Sequence, residues 1–256
     1  MTAKWLLALM AAVFLTSIAC LGAEQGNSSC AVCDTARFAN GVVSLAFDDG
    51  HVSIYDSVWP ALDDMGWGAT LFIITSKLDA EDDYYMTWDQ VAELADAGFD
   101  VESHSDTHRH LIPMGNVDLF AEIRAAKENI KAINPNANII AVPYGETNSN
   151  VDRAIGQYFA FERTSVHGFN NLGALDSHNI KVQVVVNTTT DDEVRAWVAQ
   201  AAQNKGWLVI LYHLVETQGE EYSISPQTFD SHLKIIEGSG LPVATMQEVL
   251  KTAKFA

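Results

Sequence analysis

From Gly41 onward, short apolar runs rich in β-branched residues alternate with stretches of helical periodicity. Continuous apolar runs suit strands buried on both faces, and their alternation with helices is the pattern of βα units wound into a mainly parallel sheet. The runs predict strands at residues 42–47, 69–74, 100–103, 139–142, 159–164, 182–186, 207–212 and 241–244. Helix starts are marked by their chemistry. Thr87-Trp88-Asp89-Gln90, Thr190-Asp191-Asp192-Glu193 and Thr245-Met246-Gln247-Glu248 read as capping boxes, and Ser225-Pro226 as an N-cap followed by Pro at the first helical position. Seven or eight strands with intervening helices predict an α/β barrel. No linker, repeat or low-complexity tract divides the chain.

The first two dozen residues follow a different pattern. Lys4 precedes an uncharged apolar run over residues 5–19, and Ser17-Ile18-Ala19 puts small residues where a signal peptidase cuts, so residues 1–23 read as a secretory signal. An uncleaved anchor is the alternative, since the uncharged stretch approaches the roughly 20 residues that span a bilayer. Lipidation of Cys20 is a third. Residues 24–40 read as an N-terminal tail and residues 41–256 as the folded domain. Once Cys20 is lost or lipidated, Cys30 and Cys33 are an even pair, suited to a small disulfide in an oxidising compartment. The expected location is outside the cell or in its envelope.

Composition narrows the partners. Against 33 Asp plus Glu stand 15 Lys plus Arg, a formal net charge of −18, which argues against nucleic acid because phosphate binding requires clustered cations. A membrane enters only through the signal or Cys20. The sequence does not give an oligomeric state.

In parallel α/β barrels the active site lies at the carboxyl ends of the strands, so polar residues just after apolar runs are the candidates. Asp48-Asp49-Gly50 follows the first strand, and continued strand geometry would point its two carboxylates to opposite sides. The same tripeptide is also a common solvated turn. His104 and His108 follow the third strand at a spacing that, on a helical turn, puts two imidazoles on one face as a metal requires. Ser105 stands where a zincin helix carries its Glu. Pro143-Tyr144-Gly145 follows the fourth strand and His213 the seventh. An Asp and two His at neighbouring strand ends would leave coordination positions open, as in a catalytic metal site. His51 and His110 read as solvated loop residues, and Tyr84, Tyr85, Trp67 and Trp88 as more core than site.

These motifs resemble, over residues 41–250, the polysaccharide deacetylases with a NodB-homology domain, carbohydrate esterase family 4. The family's Thr-Phe-Asp-Asp-Gly is similar to Ala46-Phe47-Asp48-Asp49-Gly50, its His-Ser/Thr-x-x-His to His104–His108, and its Leu-x-His to Leu211-Tyr212-His213. The resemblance implies a distorted (β/α) barrel and hydrolysis of N-acetyl groups on a glycan containing N-acetylglucosamine, such as chitin, with acetate released. It implies Asp49, His104 and His108 as ligands of a divalent metal, zinc first, with cobalt, nickel or manganese as alternatives. Asp48 would be the general base, His213 the acid that protonates the leaving nitrogen, and the backbone N–H of Tyr144 an oxyanion donor. O-acetyl ester hydrolysis on xylan or a similar glycan is the alternative activity, and glycan binding without catalysis a further one. Two departures stand out. Where the family carries the Arg of Arg-x-Pro-Tyr, this chain has Ala141, and Arg163 at the next strand end could supply that cation. The family's fourth motif, an Asp and Trp supporting the acid His, cannot be placed; Asp176 and Trp207 match by residue type alone, and Trp207 reads as core.

Overall fold

The computed structural model describes residues 36–78, 82–217 and 219–255. The expected signal segment, residues 1–23, all three cysteines and most of the 24–40 tail lie outside the described residues. Packing reaches back to Phe38, which is buried in the core. No helix among the described residues is long and apolar enough to cross a membrane.

Seven parallel strands close into a barrel in sequence order. They are β1 (Val42–Phe47), β2 (Thr70–Ile73), β3 (Asp100–Ser103), β4 (Ile139–Ala141), β5 (Phe161–His167), β6 (Ile180–Val184) and β7 (Trp207–Tyr212). β1, β2 and β7 are buried at every position, as their mostly apolar sequences require, with Ser44 and Thr70 the polar exceptions. Closure comes from the full-length register of β1 on β7, Val42 opposite Trp207 through Phe47 opposite Tyr212. Successive side chains face opposite ways. Val42, Ala46, Phe72, Ile139, Ala141, Ile180, Val182, Val209 and Leu211 pack in one cluster inside the barrel. Val43, Leu45, Phe47, Leu71, Ile73, Leu208 and Ile210 pack outward against Ile54, Val58 and Leu62, against Val91 and Leu94, and against Val194, Val198, Phe229 and Leu233 of the surrounding helices.

The eighth strand expected at residues 241–244 does not form. β2 is only four residues long and begins opposite Ala46, so the lower part of β1's free edge is met by a single bridge, Val43 to Val243. Two hydrogen bonds hold it, from Val43 N–H to the Pro242 carbonyl and from Ala244 N–H to that of Val43. All three capping boxes are present, and Ser225 caps the helix Pro226–Ser239 by accepting from Thr228 N–H.

Candidate active site

The carboxyl ends of β1, β3 and β7 and the turn after β4 open onto one cavity of about 610 Å³, lined among others by Asp48, Asp49, His104, His108, Tyr144, His167, His213 and Tyr222. Building it strains the backbone. Among the described residues, five non-glycine positions have positive φ: Asp49 (73°), Ser105 (63°), His108 (58°), Tyr144 (60°) and Lys205 (51°). Lys205 merely ends a helix, whereas the other four build the site. Each such conformation costs on the order of 1 kcal/mol or more, which the surrounding fold must offset.

At the end of β1 the chain turns left-handed at Asp49 and Gly50. The two carboxylates therefore converge instead of pointing to opposite sides: His104 Nε2 lies 3.4 Å from Asp48 Oδ2 and 3.6 Å from Asp49 Oδ1. Gly50 has φ of +83°, and a Cβ there would sit 3.2 Å from the Ile73 side chain. At the turn after β4, a Cβ on Gly145 would be 2.4 Å from Ser165 Oγ.

His104 and His108 meet through a loop, not on a helical turn as their spacing suggests. The left-handed residues Ser105 and His108 fold it tightly, with Ser105 Oγ accepting from His108 N–H at 3.0 Å. The helix Asn116–Ile130 clamps the same loop. Glu122 accepts from Thr107 N–H at 2.6 Å and from Thr107 Oγ1 at 2.8 Å, while Asp106 accepts from Thr75 Oγ1 at 2.6 Å and from Asn129. Neither Glu122 nor Asn129 is expected from motifs. Glu122 had a legible signal, though: it lies on the buried face of its helix with Leu119, Ile123 and Ala126.

The ring of His104 is oriented by Nδ1, which donates to the Ala141 carbonyl at 2.9 Å, since a carbonyl can only accept. Its Nε2 therefore presents a lone pair. His108 Nε2 faces it at 3.1 Å, and Asp49 Oδ1 lies 3.7 Å from His108 Nε2. Burial, then the neighbouring His104, depresses the pKa of His108 to about 4. Burial raises that of Asp49, but the His51 hydrogen bond and the nearby imidazoles outweigh it and hold the carboxyl well below the usual range. One potential ligand atom from each of Asp49, His104 and His108 fits within 4.8 Å of the others. Two nitrogens and one carboxylate oxygen facing one another, with His104 buried and the other two partly exposed, fit a divalent cation.

Asp48 is 2% exposed and faces Arg163, whose Nη2 donates to both its oxygens, at 2.6 and 2.5 Å. Arg163 lies under the Phe72 ring at 5.0 Å and is the Cα partner of Ala141 across β4 and β5. His213 Nε2 stands 3.9 Å from Asp48 Oδ2. Burial lowers the pKa of His213, and its buried Nδ1 has no hydrogen-bond partner among the described residues. Neither Asp176 nor Trp207 supports it. Asp176 accepts from His178 N–H in the loop between β5 and β6, and Trp207 is core, its indole N–H on Ser44 Oγ.

Tyr144 is half exposed, with its ring stacked 3.8 Å from that of His110. His110 also pairs with Glu146 at 3.0 Å. His51 is not a solvated loop residue: it is 5% exposed, with Nε2 3.3 Å from Asp49 Oδ2.

A parallel barrel with carboxylates and histidines converging at its strand ends has the architecture of a site that can hold a divalent metal. The family model described as polysaccharide deacetylase matches residues 36–159, the part of the chain that holds the first four strands and both ligand-bearing loops. Arg163 and His213 lie beyond the match. A curated relative, the putative polysaccharide deacetylase YxkH of Bacillus subtilis, is 28% identical over 115 residues, covering 44% of this chain and 40% of that protein. The chain thus spans two-fifths of that relative's length. Among solved structures, the Xyl-CE4 domain of a multidomain xylanase from the hindgut metagenome of Trinervitermes trinervoides aligns with a TM-score of 0.59 at 19% identity, covering 82% of this chain and 90% of that one. A CE4 family pseudoenzyme from Bacillus anthracis aligns with a TM-score of 0.57 at 14% identity, covering 83% and 66%. At these identities the two structures establish the shared barrel.

Proposed function

We propose that this protein hydrolyses acetyl groups on a glycan, with the N-acetyl groups of an N-acetylglucosamine-containing polymer as its substrate. The observation that carries the reading is Asp48, held by Arg163 at 2.6 Å, in one cavity with the Asp49, His104 and His108 ligand set. Asp49, His104 and His108 would hold a divalent cation, zinc first by the donor set, and such an ion supplies Lewis-acid polarisation of a carbonyl and activation of water near neutral pH. Asp48 takes the proton of the attacking water as general base. Arg163 fixes the direction of that carboxylate and balances its charge. The backbone N–H of Tyr144, in the turn at the cavity wall, donates to the developing oxyanion. His213, whose Nε2 lies 3.9 Å from Asp48, protonates the leaving nitrogen, the proton being replaced by the one Asp48 took from water. The part-exposed rings of Tyr84, Tyr144 and Tyr222 border the cavity and its neighbour, and can lie against sugar faces. A polymer substrate also goes with export, as residues 1–23 suggest.

One observation favours a second reading, an O-acetyl esterase. His213 has no partner for Nδ1 to orient it as an acid, and an alcohol leaves with less help from a proton than an amine does. Acetate release measured side by side from N-acetylglucosamine oligomers and from acetylated xylan separates the two. Release from the oligomers is the expected result. Release from xylan alone selects the esterase, and tight glycan binding with no acetate from either selects a binding protein.

A further inference from the structure

His51 belongs to no motif shared with the family, yet it touches a ligand. Its Nε2 lies 3.3 Å from Asp49 Oδ2, while the other oxygen, Oδ1, is turned toward His104 Nε2 at 3.6 Å and His108 Nε2 at 3.7 Å. The ring is held on two sides, stacked on Tyr85 at 5.1 Å and met edge-on by Tyr84 at 4.6 Å. Its backbone is fixed as well. His51 bridges Tyr85, Val52 N–H donates to the Tyr84 carbonyl, and Met86 N–H to that of Gly50. Nδ1 is buried and has no partner among the described residues. Nε2 is thus the ring nitrogen placed to donate to Asp49, whose carboxylate can only accept.

We infer that His51 is a positioning residue: it hydrogen-bonds Asp49 Oδ2 and thereby aims Oδ1 at the two imidazoles as a metal ligand. The inference rests on the ligand reading of Asp49, His104 and His108. The backbone at Asp49 is left-handed and does not by itself fix the carboxylate's rotation, whereas a donor locked between two tyrosines does. Partners of this kind, one shell out from a metal, typically change its affinity 10- to 100-fold.

The test is the Zn²⁺ dissociation constant of the full chain, measured by competition with a chromophoric chelator, with the unfolding temperature of the metal-free protein recorded alongside. His51→Phe keeps a ring between the tyrosines and removes the donor. His51→Gln places an amide N–H near the position of Nε2. Zinc binding is expected to weaken about 10- to 100-fold in His51→Phe and to stay within a few-fold of the parent in His51→Gln. If His51→Phe does not fold, His51→Leu takes its place. Unchanged affinity in the donor-less variant, or equal weakening in both variants, overturns the inference and leaves His51 a packing residue. Asp49→Ala is measured beside them: loss of zinc there with retention in His51→Phe refutes the positioning role alone, and retention in Asp49→Ala refutes the ligand reading along with it.

Discussion

Arg163 and Ala141 are Cα partners on adjacent strands, so a cation absent from β4 has its counterpart one strand over, inside the same barrel. Both are buried, Arg163 at 1% exposure, and the guanidinium meets both oxygens of Asp48. Arg163→Ala leaves a carboxylate buried without its partner, which typically costs about 3–5 kcal/mol of stability. It also frees the base to rotate, and a displacement of about 1 Å can cost on the order of 100-fold in rate. The expected result is a kcat reduced about 100-fold with little change in KM, partly restored when Ala141→Arg is added. A kcat within twofold of the parent would show that Arg163 does not orient the base. At this scale the sequence was legible in which motif residues come together, since Asp48, Asp49, His104 and His108 line one cavity. It was misleading where orientation depends on backbone strain. Convergence of the two carboxylates needs φ of 73° at Asp49, and nothing in the residue type announces that. His51 was missed for a related reason, because burial of a polar loop residue is a tertiary fact.

The weakest join of the barrel is between β3 and β4, which share a single Cα pair, Ser103 with Ile140. A side chain fills the gap. The buried carboxylate of Glu102 accepts from the backbone N–H groups of Asn138 (2.9 Å) and Ile139 (2.8 Å) and from Gln247 Nε2 (2.8 Å). Two positions earlier, Asp100 accepts from Gln247 N–H. Burial, for Glu102 together with the neighbouring Asp100, pushes both carboxyls up, Asp100 to about 7. The folded state therefore binds a proton more tightly than the unfolded chain, whose Asp titrates near 4. Stability from this source is fully present below about pH 4 and is lost as pH rises through about 7. The urea midpoint should fall over that interval, and Asp100→Asn should flatten the fall; an equal slope in the variant would contradict this account of the seam. β1, β2, β4 and β7 were legible as mostly apolar runs, and β3, β5 and β6, which carry polar residues, from their place in the alternation with helices. The expected eighth, residues 241–244, is also mostly apolar but carries Pro242, which cannot donate to a ladder, and it meets β1 only through the bridge at Val43. The strands Leu214–Val215 and Ser223–Ile224 are too short to carry a period.

Across the whole molecule, packing and chemistry divide by position. Apolar side chains fill the barrel and its helical jacket, and the titratable cluster sits where β1, β3 and β7 end. A net charge of −18 suits an uncharged polymer better than an anionic one. The architecture could be foreseen because a closed parallel barrel leaves one favoured face for a site. The support for His213 could not, because no Asp and Trp pair reaches it and its Nδ1 is left alone among the described residues. The central claim is that Asp49, His104 and His108 hold a metal beside a working base. The most direct test is acetate release from N-acetylglucosamine oligomers before and after stripping with a chelator and return of zinc, with Asp48→Asn alongside. The account predicts release that disappears on stripping, returns with zinc and is at least about 100-fold lower in the variant. Release that survives complete stripping, or is unchanged in Asp48→Asn, would contradict it.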